Sequence, residues 1–176
     1  MVINYFSVLI LFLFVAENPN RIEWQEGEKL AWEHFLGKPD SRSSFAALTH
    51  SSVEFSYNVR NENGKLTLTT RVNTYFDKEM SWFKSKEVND HILKHEQAHF
   101  DISEIHTRKL REAFAGYRVT KNFENDLSAF FSKINFEREK MQKQFDKETD
   151  HSRNFDKERQ WQDFIAEELK RLEKWK

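Results

Sequence analysis

The spacing of hydrophobic residues changes along the chain from a period of two to a period of three and four. Between residues 53 and 72, apolar residues alternate with polar ones in two runs, which flank the turn segment Asn61-Glu62-Asn63-Gly64. Strict alternation is typical of a half-buried strand, and Asn-Gly between two such runs favours a tight turn. The sequence therefore predicts an antiparallel β-hairpin. Its alternating residues are Val53, Phe55, Tyr57 and Val59, then Leu66, Leu68, Thr70 and Val72.

Beyond the hairpin, the apolar spacing is that of amphipathic helices. A first helix is predicted from between Ser85 and Asp90 to a stop at Gly116, a second over about 122–147, and a third over about 156–175. The segment 150–154 is predicted to be a break between the second and third helices. Before the hairpin, residues 21–39 predict an irregular lead-in with one short helix or turn. The expected fold class is α+β: a small antiparallel sheet followed by an active-site helix and two further long helices.

The N-terminus carries an apolar run from Val2 to Ala16. A membrane-spanning helix needs about 20 such residues, so this run is short for a span and suits the hydrophobic part of a signal peptide. We therefore expect residues 1–16 to be a signal peptide or an uncleaved N-terminal anchor, with a buried first helix as the alternative. Residues 17–176 are expected to form one domain, in a secreted or periplasmic protein that contacts a membrane only through such an anchor.

Composition narrows the classes of function. The net charge is −1, with 28 Lys and Arg against 29 Asp and Glu, and no basic cluster lacks interleaved acids, so nucleic acid is not an expected partner. The chain contains no cysteine. Disulfides and thiolate metal sites are therefore excluded, and any zinc ion must be bound by His, Asp or Glu.

The segment His95-Glu96-Gln97-Ala98-His99 within the first long helix contains the pattern H-E-x-x-H. Four-residue spacing on a helix puts the two imidazoles one turn apart on one face, where both can bind a single Zn²⁺. The intervening Glu96 can then accept a proton from an attacking water. The pattern predicts His95 and His99 as metal ligands and Glu96 as the general base of a zinc hydrolase.

A helical wheel supports a metal site over two surface histidines. With about 100° per residue, several apolar residues fall within about 60° of His95, so both histidines lie on the stripe predicted to be buried. A buried histidine needs a partner. The residues of this stripe are Ile92, His99, Ile102, His106, Leu110 and Ala113, and those on the opposite polar face are Lys94, Gln97, Asp101, Glu104, Arg108 and Glu112.

A catalytic zinc site has three protein ligands and one open position. Glu104 lies on the opposite face from His95, and His106 lies about 10 Å further along the helix axis than His99, so neither completes the site. The break after the second helix offers better candidates. His151, in a short loop after a chain reversal, is the best placed, with Glu148 and Asp146 as alternatives. The other histidines, His34, His50 and His91, are interpreted as surface or packing residues.

Several motifs together resemble a family of predicted secreted bacterial zinc-dependent proteases, long catalogued as a domain of unknown function. The resemblance extends over about residues 24–170, and its strongest part is the segment 93–104 around H-E-x-x-H. Other matching segments are 30–39, similar to the family's W-x-x-F-x-G-x-P, then 46–49, 81–82, 145–151, similar to its D-x-x-T-x-H, and 160–161. The chain departs from the pattern at Phe145, where the family has tyrosine, and at Ser152, where it has glycine.

The resemblance implies a zincin-like metallopeptidase fold and adds weight to His151 as the third ligand. Together with the H-E-x-x-H pattern, it predicts a zinc-dependent peptidase that hydrolyses peptide bonds of a peptide or protein substrate. Two other classes of function stay open. One is a non-catalytic envelope protein in which zinc is structural and four-coordinate. The other is a helical interaction protein without a metal.

Overall fold

The computed structural model describes residues 18–176, so the predicted export segment at 1–16 lies outside the described residues. Within that range the fold is α+β, with two small antiparallel sheets and three long helices. No helix among residues 18–176 combines the length and the apolar character needed to cross a membrane. The strands are β1 (Arg21–Glu23), β2 (Ala47–Leu48), β3 (Ser51–Glu62), β4 (Lys65–Asp77) and β5 (Trp82–Phe83).

The predicted hairpin is confirmed as β3 and β4. Phe55 pairs with Val72 in an antiparallel register. At the turn, Asn63 has φ 54° and Gly64 has φ 85°, two consecutive left-handed residues, as a tight hairpin turn requires. β1 pairs with the other edge of β4, giving the sheet order β1-β4-β3. β2 and β5 form a separate two-stranded ribbon, which the sequence did not predict.

The three predicted helices are confirmed, with ends shifted by a few residues. They are α1 (Asp90–Gly116), α2 (Phe123–Thr149) and α3 (Phe155–Arg171), followed by a 3₁₀ turn at Glu173–Trp175. The side chain of Asn89 caps α1 by accepting hydrogen bonds from two backbone amides, and Asn154 caps α3 in the same way with one. A second 3₁₀ turn, Trp32–His34, is the short helix expected in the lead-in.

α1 lies at the centre of the fold, and nearly its whole circumference is buried. One apolar cluster, which includes Val72 and Leu110, joins the hairpin to α1 and α2. Another, which includes Ile105 and Trp161, joins α1 to α2 and α3. A third, around Phe76 and the lead-in, covers the remaining side. The helix that carries the H-E-x-x-H pattern is therefore packed against the hairpin, α2, α3 and the lead-in.

The central part of the face of α1 that the wheel assigns as polar is buried too, whereas Lys94 and Glu112 at its two ends are exposed. Glu104 accepts hydrogen bonds from Thr74 Oγ1 at 2.7 Å and from Arg108 Nε at 3.0 Å, and Arg108 Nη1 donates to the Leu169 carbonyl at 2.6 Å. Asp101, on the same face, accepts from Trp24 Nε1 at 2.7 Å. Buried charges persist only when they are paired and hydrogen-bonded. This network explains how the polar face is buried beneath β4, α3 and the lead-in.

Gly37 is required by a close backbone approach. A Cβ atom at this position would lie 2.6 Å from the Glu79 carbonyl oxygen and 2.7 Å from that of Ser81. We expect Gly37→Ala to lower the free energy of unfolding by about 2 kcal/mol, because the backbone must move to relieve the overlap. Urea denaturation followed by circular dichroism measures this. Gly116→Ala is the control, since nothing lies within 4 Å of its added Cβ; equal stability of both variants would contradict the prediction.

Candidate metal centre

The two histidines of the motif converge on one point from adjacent turns of α1. The Nε2 atoms of His95 and His99 are 3.2 Å apart, and the rings meet nearly at right angles. His95 is buried and His99 is half-buried. The structure thus brings together the two residues that the motif predicts as ligands.

A carboxylate from α2 completes a cluster of three donor atoms. Asp146 Oδ1 lies 3.2 Å from His95 Nε2 and 3.0 Å from His99 Nε2. These three ligand atoms all lie within 4.8 Å of one another. Imidazole nitrogen and carboxylate oxygen are donors that suit Zn²⁺. The residues present therefore fit a metal ion.

The second ring nitrogen of each histidine is held by a polar side chain. His95 Nδ1 is 2.5 Å from Glu158 Oε1 on α3, and His99 Nδ1 is hydrogen-bonded to Gln142 Oε1 on α2. Gln142 is fixed in turn, because its Nε2 donates to the His99 carbonyl at 2.8 Å. Such partners set the tautomer and the ring orientation of metal-binding histidines. Both rings therefore present Nε2 to the cluster.

Neither Glu158 nor Gln142 was predicted from the sequence, although the position of Glu158 carries a signal. Glu158 is 1% exposed and lies on the buried stripe of α3 with Trp161 and Ile165. An acid on a stripe that is otherwise apolar needs a buried partner. An acidic residue at such a position therefore indicates a functional contact. The spacing of Gln142 carries no comparable signal.

The electrostatics of the cluster favour positive charge. Burial of His95 lowers its pKa, but the carboxylates of Asp146 and Glu158 outweigh burial and raise the pKa to about 9. For Asp146, burial raises the pKa, and the hydrogen bonds from His95 and His99 reverse this and hold it well below its ordinary value. Two carboxylates that face a buried imidazole stabilise a positive charge there, which the protonated imidazole supplies. A divalent metal ion bound at the cluster would be stabilised by the same carboxylates.

Phe145, where the resembling family has tyrosine, supports the histidine rings from behind. Its ring is fully buried, stacks on His95 at a centroid distance of 4.5 Å and meets the edge of His99 at 5.0 Å. The ring of Trp161 also packs against that of Phe145, with centroids 5.5 Å apart. The residue therefore belongs to the core that orients the ligands.

His151, the predicted third ligand, lies beside the cluster without joining its three atoms. Its Nδ1 is 3.7 Å from Asp146 Oδ1, its side chain is 39% exposed, and its ring lies 4.6 Å from that of Phe45. Asp150, His151 and Ser152 all have positive φ, so the loop is a sharp left-handed reversal. Glu148, one alternative, instead accepts a hydrogen bond from Trp161 Nε1. Asp146, the other alternative, is the residue that meets both histidines.

Glu96 lines the same cavity as the three donor residues, and one of its carboxylate oxygens has no hydrogen-bond partner among residues 18–176. The residue is 4% exposed, and its Oε2 is buried with no hydrogen-bond partner among residues 18–176. A cavity of about 520 Å³ adjoins it and the three donors. Residues 44–51, with only Ser51 from β3, form one wall. The remaining lining residues are Glu87, Ile92, His95, Glu96, His99, Arg138, Gln142, Asp146, His151, Ser152 and Arg153.

Three other histidines, His50, His91 and His106, lie in the cavity wall or in packing contacts. His50 lines the cavity, a position that its sequence context did not indicate. His91 packs on Phe155 with ring centroids 4.1 Å apart, in line with the packing role expected for it. His106 is a core residue, as expected, and its Nδ1 is 2.8 Å from the Ile102 carbonyl oxygen. Burial lowers the pKa of His106 to about 4, against the effect of that carbonyl.

Comparison with known proteins places the chain by family alone. Neither the curated proteins nor the solved structures contain a match to it. A family described as "Bacterial protein of unknown function (DUF922)" matches residues 28–152. This range includes the cluster on α1 and α2, Glu96 and His151, and it ends before Glu158. Because the match covers most of the 176 residues, the chain belongs to this family of bacterial proteins of unknown function, DUF922.

Proposed function

We propose that this protein is a zinc-dependent peptidase of the zincin-like class. The observation that carries the proposal is the buried Glu96 carboxylate, whose Oε2 has no partner among residues 18–176 and which shares one cavity with the three-donor cluster. A buried unpaired carboxylate is costly for stability. Its position beside a metal cluster is what a general base requires.

Zinc is the metal that suits this donor set best. The cluster offers two imidazole nitrogens and one carboxylate oxygen, and the chain has no thiolate ligand. Calcium and magnesium prefer sites built mainly of oxygen ligands. When bound, Zn²⁺ would polarise the scissile carbonyl and lower the pKa of a coordinated water to about 7.

Glu96 would move the protons of the reaction. Its carboxylate would accept a proton from the water that attacks the amide carbonyl. It would then donate that proton to the amine nitrogen as the C–N bond breaks. Hydrolysis consumes one water and yields a carboxylic acid and an amine, so no other co-reactant is needed. The burial of Glu96 strengthens its interactions with these charges, because water screens them less.

The structure favours His95, His99 and Asp146 as the metal ligands, and His151 stays the sequence-based prediction for the third. If His151 bound the metal together with Asp146, the four donors would form a closed site of the structural type. The His151 side chain is half-exposed, and its Nδ1 lies 3.7 Å from Asp146 Oδ1. This short distance is the observation that supports a structural zinc site as the second candidate function. The open cavity beside the cluster favours the catalytic alternative, because it leaves room for water and substrate.

Hydrolysis of mixed peptides tests the proposal. Zinc-loaded protein is incubated with degenerate peptide pools, and new termini are identified by mass spectrometry. We expect cleavage that a zinc chelator abolishes and added zinc restores. A protein with stoichiometric zinc that cleaves none of the pools would favour the structural site instead.

Glu158 is expected to tune metal affinity through His95. Replacing Glu158 by Gln keeps the shape and removes the charge facing His95 Nδ1, so we expect zinc affinity to fall by about 10–100-fold. Competition with a fluorescent chelator measures the affinity. The control is Glu167→Gln, on the exposed face of the same helix. Equal zinc affinity in the two variants would contradict a role for Glu158 at the metal.

A further inference from the structure

Arg138 occupies the same cavity and the same face of α2 as the metal cluster. Arg138, Gln142 and Asp146 follow one another at intervals of four residues, which aligns them along one side of the helix. Gln142 and Asp146 contact the histidines of the cluster. Arg138 lines the cavity one turn further on and so places a fixed positive charge beside the proposed active site.

The guanidinium of Arg138 is anchored by neutral oxygens. Nη1 donates to the Ser51 carbonyl at 2.9 Å and to Ser103 Oγ at 3.3 Å, and Nε donates to Asn135 Oδ1 at 3.1 Å. In the described part of the chain, no carboxylate forms an ion pair with it. These bonds fix the group in place without neutralising it.

Arg138 differs from two other arginines in having no carboxylate partner. Arg108, which is buried, pairs with Glu104 at 3.0 Å. Arg153, at the rim of the same cavity, lies 3.8 Å from Asp150 and is 66% exposed. Burial of Arg138 lowers its pKa, partly opposed by Glu139, yet arginine stays charged in proteins. Arg138 is therefore a half-buried cation that forms no ion pair with a carboxylate of residues 18–176.

We propose that Arg138 binds a carboxylate of the substrate, either an acidic side chain or a free C-terminal carboxylate. The planar guanidinium matches a carboxylate with paired hydrogen bonds. Its Nη2 donates to no acceptor within residues 18–176, and this leaves donors for a ligand. The position of this anion relative to the cleaved bond rests on the proposed peptidase function, whereas the binding itself does not.

Helix geometry sets the distance between the anion and the cleaved bond. Eight residues separate Arg138 from Asp146, a rise of about 12 Å along α2. An extended peptide advances about 3.3 Å per residue. The substrate carboxylate should therefore lie within about four residues of the amide that is hydrolysed.

The test measures binding with the zinc-loaded Glu96→Gln protein, in which peptides should remain uncut. Three pools of peptides, with Asp and Glu excluded from the randomised positions, are compared: one with a fixed Glu and an amidated C-terminus, one with Gln instead of that Glu and an amidated C-terminus, and one with Gln and a free C-terminus. Affinity selection and mass spectrometry give relative binding. We expect one anionic pool to bind about 10–100-fold more tightly than the neutral pool. The preferred pool identifies a side-chain or terminal carboxylate.

Substitutions at Arg138 decide whether this residue is the cause. In the Glu96→Gln background, Arg138→Gln should abolish the preference, and Arg153→Gln should keep it. If Arg138→Gln fails to fold, Arg138→Lys keeps the charge and should reduce the preference several-fold, because lysine cannot form the paired bonds. A preference that survives in a folded Arg138→Gln protein would overturn the proposal. If that variant does not fold, an undiminished preference in Arg138→Lys would overturn it, and so would the absence of any preference in the parent. This experiment measures binding and not hydrolysis. Its result can therefore be interpreted even if the protein shows no peptidase activity.

Discussion

Glu96→Gln is expected to reduce kcat for peptide hydrolysis by about 10²–10⁴-fold, the range typical of a lost general base. The substitution preserves the size of a side chain that is 4% exposed. It removes the negative charge of the side chain and, with it, the ability to accept a proton. Zinc content and thermal stability should therefore stay at the wild-type values. The measurement is steady-state kinetics on a peptide identified from the degenerate pools, together with elemental analysis of the same sample.

Glu87→Gln provides the matched control for this prediction. Glu87 lines the same cavity, but its side chain is exposed and lies 3.8 Å from Lys84. We expect its kcat to stay within a few-fold of wild type. Activity of Glu96→Gln near that of Glu87→Gln would sink the assignment of Glu96 as the base.

Asp146→Ala is expected to weaken zinc binding by more than about 10²-fold, beyond the effect usual for a residue that only orients a ligand. The reason is geometric, since Asp146 Oδ1 lies about 3 Å from both histidine Nε2 atoms. Affinity measured by chelator competition gives the change. A folded Asp146→Ala protein with wild-type affinity would remove this residue from the ligand set.

His151→Ala in the same assay decides between the two candidates for the third ligand. If Asp146 is the ligand, His151→Ala should lose far less affinity, because its Nδ1 lies beyond the cluster. Loss of zinc in His151→Ala with retention in Asp146→Ala would establish the sequence-based choice. Loss in both would indicate four ligands and the structural type of site.

The hairpin and the three helices could be predicted because each has a long run of one period. The alternation around Phe55 and Val72, with Asn63-Gly64 between the strands, determines the register of β3 and β4. By contrast, β2 and β5 are two residues each, too short to carry any period. They form because Ala47 meets Phe83 in tertiary structure.

The helical wheel placed the histidines correctly and described the opposite face incompletely. Glu104 and Arg108 are polar, which suggests exposure to solvent, yet they are buried and form hydrogen bonds with Thr74 and with the Leu169 carbonyl. These partners come from β4 and α3. Spacing within one helix cannot reveal them, because they depend on how the elements dock.

The same dependence on how the elements dock determines which site residues could be predicted from the sequence. His95 and His99 belong to one helix, so their spacing alone determines their convergence. The choice between Asp146 and His151 depends on the angle at which α2 meets α1 and on the left-handed turn at 150–152. The sequence narrows that choice to a few neighbouring residues. Glu158 could have been found from its place on an apolar stripe.

Elemental analysis of the purified protein beside His95→Ala tests the central claim most directly. We expect one zinc ion per chain in the wild type and none in a folded His95→Ala variant, because His95 supplies one donor atom of the cluster and is held by Glu158. A well-folded wild-type protein that binds no zinc, even after reconstitution, would contradict the claim and make the H-E-x-x-H pattern a coincidence.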